Sequence, residues 1–113
     1  MRRAPAGGPA EITVGELAQR LRQARPPVLL DVRRDDEVRV VRIDGARHVP
    51  LAELPRRWTE LDPEATVVVY CHHGVRSAQA AAFLRQVGFA DVASLRGGID
   101  AWAREVDPRM PRY

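Results

Sequence analysis

The residue best suited to covalent chemistry is Cys71, the only cysteine among 113 residues. It follows the apolar, β-branched run 66–70 and precedes a short loop, His72 to Val75, after which Arg76 and Ser77 open an alanine-rich segment. A thiol becomes a strong nucleophile only as the thiolate. Unpaired N–H groups at a helix N-terminus and a nearby guanidinium favour that anion. The pattern therefore predicts a reactive cysteine whose sulfur is surrounded by loop amides.

Each residue of this segment also has a structural interpretation. For Cys71 it is a buried, unreactive thiol, which is a common fate for cysteine. Arg76 opposes the helix dipole in the first turn, so a contact with an anionic substrate or an acidic side chain explains it better than a plain helical position. Ser77 either caps the helix or donates its hydroxyl to the thiolate. Gly74 suits a loop that needs a positive φ.

His72 and His73 raise the question of a metal site or a general base. Neighbouring side chains on a tight loop point in different directions, and no third ligand is evident in the sequence, so we predict no metal. We interpret both histidines as residues that shape the loop, add donors near its entrance and carry charge only when protonated.

A second group of charges follows another apolar run, Val28 to Leu30. Asp31 and Arg33 are predicted to form an ion pair that holds the end of this strand to the next loop, with Glu37 as a further partner. Direct contact of Asp31 and Arg33 with a substrate is the alternative. These residues are therefore expected to be structural and close to the site.

Length and composition limit the classes of protein to consider. A chain of 113 residues suits one domain with its own core. No apolar run approaches the roughly 18 residues that a transmembrane helix needs. The N-terminal charges are followed by no apolar block, so no signal peptide is expected. One cysteine excludes an internal disulfide, and a cytoplasmic location is the simplest expectation.

The charge pattern argues against a nucleic-acid partner. All 18 basic residues are arginines, they are interleaved with 15 acidic residues, and aromatic residues make up only 5%. A basic stripe with aromatic side chains is absent from the sequence, so binding to DNA or RNA is not expected. The net charge of +3 favours small anionic ligands.

Strand and helix patterns alternate along the chain. Strands are predicted at 11–13, 28–32, 46–49, 66–70 and 92–95, with helices near 13–24, 51–61, 76–87 and 99–105 and a helical turn within 33–44. This alternation predicts an α/β domain at 11–106 with a mostly parallel sheet of five strands, between flexible tails at 1–10 and 107–113. Sites in such sheets lie at the carboxyl ends of the strands, where Asp31 and Cys71 fall.

Four motifs occur in order across nearly the whole predicted domain. They are Leu30-Asp31-Val32-Arg33, the segment 43–51 (IDGARHVPL), the segment 70–77 (YCHHGVRS) and the segment 95–102 (LRGGIDAW). Together they resemble a single-domain rhodanese. The resemblance implies a three-layer α/β/α rhodanese-like fold around the five-stranded sheet. It also implies a sulfurtransferase that carries sulfur on Cys71 as a persulfide, with no cofactor.

The resemblance extends to the length of the loop. Cys71 to Arg76 is six residues, which is similar to sulfurtransferases, whereas related phosphatases and arsenate reductases use one residue more. His72, His73, Gly74 and Val75, with Arg76 and Ser77, would bind the substrate. A thiosulfate-like anion would be the donor and cyanide, a thiol or a sulfur-carrier protein the acceptor. A non-catalytic or partner-loaded relay module is the main alternative, and a phosphatase or arsenate reductase is a weaker one.

Overall fold

The computed structural model describes residues 10–113, so the tail predicted at 1–10 lies, apart from its last residue, outside the described residues. Five strands alternate with five helices along the described part of the chain. They are β1 (Glu11–Ile12), α1 (Val14–Leu21), β2 (Val28–Asp31), α2 (Asp35–Val40), β3 (Arg47–His48), α3 (Leu54–Arg57), β4 (Thr66–Tyr70), α4 (Val75–Gln86), β5 (Asp91–Leu95) and α5 (Gly98–Glu105). Short 3₁₀ turns, Leu51–Glu53 and Trp58–Glu60, flank α3.

The strands form one sheet in the order β1-β5-β4-β2-β3, and every neighbouring pair is parallel. This confirms the predicted five-stranded parallel sheet. β4 lies in the centre, between β5 and β2, and its valines Val67, Val68 and Val69 are almost completely buried. A central strand covered on both faces needs apolar side chains at every position, which explains the unbroken apolar run before Cys71.

The helices cover both faces of the sheet. On one face α3 and α4 pack against Val67 and Val69, and on the other α1 and α5 pack against Val68 and Tyr70. Each face has its own buried apolar cluster, so the molecule has the three-layer α/β/α architecture that was predicted. Side chains alternate along a strand, and Cys71 continues the α4 face at the carboxyl end of β4.

Local sequence signals set the ends of the helices. Thr13 and Glu16 form the predicted capping box at the start of α1. After α4 the chain turns at Gly88, which has a φ of +114°, and the N–H of Phe89 donates to the carbonyl of Leu84 at 2.9 Å. Phe89 is buried beneath the last turn, as the sequence predicted.

The C-terminal segment 107–113, which was predicted to be a flexible tail, lies against the domain. The N–H of Asp107 donates to the carbonyl of Trp102, and Met110 packs on the apolar cluster beneath α5. Arg112 pairs with Asp100 on α5 at 3.0 Å. These contacts bring the end of the described chain back to the carboxyl edge of the sheet. No helix within residues 10–113 combines the length and apolar content needed to cross a bilayer.

Candidate active site

The sulfur of Cys71 lies at the end of β4, inside the loop that leads into α4. Its Sγ accepts hydrogen bonds from two main-chain N–H groups, Gly74 at 3.1 Å and Ser77 at 3.3 Å. Both groups belong to the start of α4, whose 12 residues place a partial positive charge at this end. The loop therefore closes around the sulfur with donors that suit an anion.

Cys71 has only 1% of its surface exposed, and its side chain contributes to the apolar cluster under α4. The sulfur thus combines an apolar surrounding on the side of the sheet with polar donors on the side of the loop. A reagent from solution reaches this sulfur only when the loop or its covering side chains move. The geometry suits a thiolate that is kept from water and stabilised by fixed dipoles.

Two serines extend the polar side of the site. The hydroxyl oxygen of Ser77 lies 3.4 Å from the sulfur of Cys71, 3.2 Å from the carbonyl oxygen of Gly74 and 2.7 Å from the hydroxyl of Ser94 on β5. Ser77 and Ser94 are both buried. When the thiol is protonated, its S–H donates to the Ser77 hydroxyl oxygen. When it is a thiolate, the Ser77 hydroxyl can turn to donate to the sulfur, and the Ser94 hydroxyl then donates to the Ser77 oxygen.

Two glycines allow the backbone to close around Cys71. Gly74 precedes α4 with a φ of +114°, where side chains are strained. Gly98 opens α5 with a φ of +60°, and a Cβ there would collide with the carbonyl oxygens of Cys71 and His72. Those same carbonyls accept hydrogen bonds from the N–H groups of Ile99 and Asp100. The start of α5 therefore holds the loop from the side opposite α4.

Arg76, in the first turn of α4, binds an acidic side chain. Its two terminal nitrogens donate to the two carboxylate oxygens of Glu37 at 2.6 and 2.9 Å. The carboxylate also accepts from the N–H of Arg34 and the hydroxyl of Tyr113. Arg76 holds the pKa of Glu37 far below its ordinary value, against the opposing effect of burial. Of the two roles expected for Arg76, the contact with an acid is the one present in the structure.

Asp31 and Arg33 form the ion pair expected at the end of β2, with both side chains fully buried and 2.7 Å between Nη2 and Oδ2. The guanidinium of Arg33 also donates to the carbonyls of Glu37 and Val41 and to the hydroxyl of Tyr113. Glu37 thus contacts Arg33 through its backbone, while its carboxylate pairs with Arg76. The reason is that α2 turns the side chain of Glu37 towards α4.

His72 and His73 follow Cys71 and stack on one another with ring centroids 3.9 Å apart. His72 also stacks on Tyr113, again at 3.9 Å and nearly parallel at 7°. Burial, and then the neighbouring His73, lower the pKa of His72, which favours its neutral form. His73 and Val75 are exposed at the outer side of the loop.

Residues 13–105 match the family model described as a rhodanese-like domain. This chain belongs to the rhodanese-like family. A protein from Allochromatium vinosum named sulfurtransferase is 42% identical over 94 residues, which cover 83% of this chain and 88% of that protein. The crystal structure of a rhodanese-like domain protein from Staphylococcus aureus has a TM-score of 0.80 at 28% identity, covering 91% of this chain and 97% of the other.

Longer relatives also contain a region similar to this rhodanese-like chain. The probable adenylyltransferase/sulfurtransferase MoeZ of Mycobacterium tuberculosis is 41% identical over 104 residues. That match covers 90% of this chain and 26% of MoeZ. The chain therefore spans about a quarter of the length of this curated relative.

Among residues 10–113, His72, His73 and Asp100 bring potential metal ligand atoms within 4.8 Å of one another. The carboxylate of Asp100 already accepts hydrogen bonds from Arg104 and Arg112, which lower its pKa. Two guanidiniums beside the carboxylate disfavour a further cation there. This group of the rhodanese-like domain is poorly suited to hold a metal.

The sequence pointed to the loop at 71–76 but assigned no role to three residues that support this region in the structure. Ser94 binds Ser77, Gly98 supports the carbonyls of Cys71 and His72, and Tyr113 binds Glu37. The sequence predicts a turn at the Gly-Gly pair whose second residue, Gly98, opens α5, and Ser94 is the one polar residue in the predicted strand 92–95. The only signal for Tyr113 is a tyrosine in a proline-containing terminal segment.

Proposed function

We propose that this rhodanese-like chain is a sulfurtransferase that carries sulfane sulfur on Cys71 as a persulfide. The single observation that supports this most is the pair of main-chain N–H groups, from Gly74 and Ser77, that donate to the sulfur at the start of α4. A thiolate or persulfide anion at this point is stabilised by donors that need no rearrangement. The relative from Allochromatium vinosum, named sulfurtransferase, supports the same activity.

The reaction has two displacement steps. In the first, the Cys71 thiolate attacks the outer sulfur of a donor such as thiosulfate; the new S–S bond forms as the old one breaks, and sulfite leaves with the bonding electron pair. In the second, an acceptor nucleophile attacks the outer sulfur of the persulfide and the Cys71 thiolate is released. Cyanide would leave as thiocyanate, and a thiolate as a new persulfide. Covalent catalysis of this kind divides one transfer into two easier ones.

Each loop residue has a role in this proposal. Gly74 and Ser77 donate to the anion, and the Ser77 hydroxyl adds a third donor when it turns towards the sulfur. Arg76 contributes positive charge near the sulfur while it is held by Glu37. His72, His73 and Val75 form the outer part of the loop, where donor and acceptor approach. No cofactor is needed, because sulfur carries the chemistry.

The low exposure of Cys71 bears on how the donor enters. The outer sulfur of the donor must come within bonding distance of a side chain that has 1% of its surface exposed. The side chains that cover the sulfur must therefore move when the donor binds. The exposed side chains of His73 and Val75 lie outside the buried cluster, so they can change conformation without displacing the main-chain donors.

A partner-loaded sulfur relay is the second candidate function. The adenylyltransferase/sulfurtransferase named MoeZ contains a similar region within a chain about four times as long, which favours delivery of sulfur to or from another protein domain. In that case the acceptor is a sulfur-carrier protein and the donor is a desulfurase or another persulfide. Cys71 has the same role in both candidates, and a cytoplasmic location is compatible with either.

Intact mass spectrometry with a panel of donors tests the proposal. The chain is incubated with thiosulfate, with mercaptopyruvate or with glutathione persulfide, and the excess donor is removed. Loading adds one sulfur, about 32 Da, that dithiothreitol removes again. Because Cys71 is the only cysteine, the Cys71→Ser variant must show no such addition. Thiocyanate formation by that variant at the wild-type rate would exclude a cysteine persulfide.

The donor panel also separates the candidates. Loading by thiosulfate, with turnover to thiocyanate, supports the small-molecule sulfurtransferase. Loading only by a persulfide-bearing desulfurase supports the relay. Hydrolysis of an aryl phosphate without any loading would instead indicate a phosphatase, which the six-residue span from Cys71 to Arg76 disfavours.

A further inference from the structure

Tyr113 contacts the candidate site although it lies far from it in sequence. Its hydroxyl accepts a hydrogen bond from Nη1 of Arg33 at 3.0 Å and donates one to Oε2 of Glu37 at 2.9 Å. Its ring stacks on His72 at 3.9 Å between centroids. One side chain therefore joins the ion pair at the end of β2, the acid on α2 and the residue that follows Cys71.

We infer that Tyr113 is a positioning residue for sulfur transfer, which holds the Glu37–Arg76 pair through its hydroxyl and His72 through its ring. The inference rests on the proposed function, because it concerns how the Cys71 loop is kept ready for an anion. Tyr113 does not contact the sulfur in the structure, so it acts through the residues that surround it.

The first route runs through Glu37. Oε1 of its carboxylate accepts from Arg76 and from the N–H of Arg34, whereas Oε2 accepts from Arg76 and from Tyr113. Without the tyrosine hydroxyl, Oε2 keeps only Arg76. Arg76 precedes Ser77, whose N–H donates to the sulfur, so a shift of this ion pair changes a donor to the anion.

The second route runs through His72. The carbonyl of this residue accepts from the N–H of Asp100, and its ring lies between the rings of His73 and Tyr113. Nε2 of His72 is buried without a hydrogen-bond partner, so stacking rather than hydrogen bonding at this atom fixes the ring. Loss of the Tyr113 ring would expose one face of His72 and loosen the residue next to Cys71.

Three variants test the inference. Tyr113→Phe keeps the ring and removes the hydroxyl, Tyr113→Ala removes both, and Arg109→Ala changes an exposed residue of the same segment as a control. The first readout is the rate of sulfur loading in a single turnover with a donor that loads the wild type. Tyr113→Phe loses the hydrogen bonds of the hydroxyl to Arg33 and to Glu37, and only the one to Glu37 bears directly on Arg76. We therefore expect roughly ten-fold slower loading for Tyr113→Phe and a larger decrease for Tyr113→Ala. Arg109→Ala should load at the wild-type rate.

The second readout, alkylation of Cys71 by iodoacetamide, separates positioning from a merely structural role. Loss of positioning moves the N–H donor of Ser77 away from the sulfur and leaves Cys71 less reactive, so alkylation of Tyr113→Phe at about pH 7 should be slower than that of the wild type. General loosening would have the opposite effect, because a thiol with 1% exposure becomes more accessible and alkylation becomes faster. Faster alkylation of Tyr113→Phe than of the wild type would overturn the inference.

A third readout follows the ring. The pKa of His72, measured by NMR of its imidazole protons, should rise in Tyr113→Ala, where burial is relieved, and stay near the wild-type value in Tyr113→Phe. A positioning role is excluded if Tyr113→Phe is loaded and alkylated at wild-type rates and the pKa of His72 is unchanged in Tyr113→Ala. That result would leave the proposed function intact. If the wild type accepts no sulfur from any donor, the proposed function fails, and the alkylation rates still report whether Tyr113 positions the thiolate.

Discussion

Replacement of Glu37 by glutamine is the most direct test of how the Cys71 loop is held. In the structure this carboxylate is 6% exposed and binds both terminal nitrogens of Arg76, which is 29% exposed. Glutamine has nearly the same shape but carries no charge, and one of its two terminal groups is a donor. In either orientation that donor faces a terminal nitrogen of Arg76, together with the N–H of Arg34 or the hydroxyl of Tyr113, all of which also present donors here.

The magnitude follows from the burial of the two partners. Removing one partner of a fully buried ion pair costs about 3–5 kcal/mol. Arg76 keeps part of its hydration, and glutamine can still accept one hydrogen bond, so the cost for Glu37→Gln should be about 2 kcal/mol, near that of a hydrogen bond to a charged group. For a domain of this size that corresponds to a decrease in Tm of about 8 °C.

Thermal unfolding measured by circular dichroism gives the stability, and single-turnover sulfur loading gives the effect on the loop. Glu60→Gln is a matched control, because Glu60 also binds a guanidinium through both oxygens, that of Arg57, but at 38% exposure. Exposed ion pairs contribute little, so its Tm should barely move and its loading rate should equal that of the wild type. Glu37→Gln should load sulfur roughly ten-fold more slowly, because Arg76 then loses its fixed position.

The reasoning fails if Glu37→Gln and Glu60→Gln have the same Tm and the same loading rate. That result would mean that the bidentate pair with Arg76 contributes no more than a solvated one, and that the start of α4 is held by packing alone. A decrease in Tm without slower loading would retain the stabilising role of Glu37 and remove its connection with Cys71.

Two further predictions follow from the same surroundings. Gly98→Ala should abolish folding or lower Tm severely, because its Cβ would meet the carbonyl oxygens of Cys71 and His72. Gly45 also has a positive φ but has open space around it, so Gly45→Ala should lower the free energy of unfolding by only about 1–2 kcal/mol. Equal effects of the two substitutions would disprove the clash. Arg76 lowers the pKa of Glu37 from an ordinary value of 4.5. The stability that this carboxylate contributes is therefore complete above about pH 4.5 and is lost as the pH falls towards the lowered pKa. In urea unfolding, acidification should reduce the free energy of unfolding less for Glu37→Gln than for the wild type.

The sequence determined the architecture and the place of the reactive group, because both depend on local patterns. A short continuous apolar run between turn residues is typical of a strand covered on both faces, and the alternation of such runs with helical segments predicts a parallel sheet. Cys71 follows the run at 66–70 and precedes Gly74 and an alanine-rich helix. This position was sufficient to predict that main-chain amides of the loop surround the sulfur. The ion pair of Asp31 and Arg33 was predictable for the same reason, since the two residues are neighbours in the chain.

Only the tertiary structure decided how the loop is held. The carboxylate of Glu37 meets Arg76 from 39 positions away, and the hydroxyl of Tyr113 meets Glu37 from 76 positions away. No periodicity links such residues, because their approach is set by the packing of helices on the sheet and by the path of the segment after α5. The same packing buries Cys71, with two N–H donors and an apolar wall around one sulfur atom. Spacing along a chain predicts which residues can be neighbours within an element, whereas contacts between elements form only when the whole core has closed.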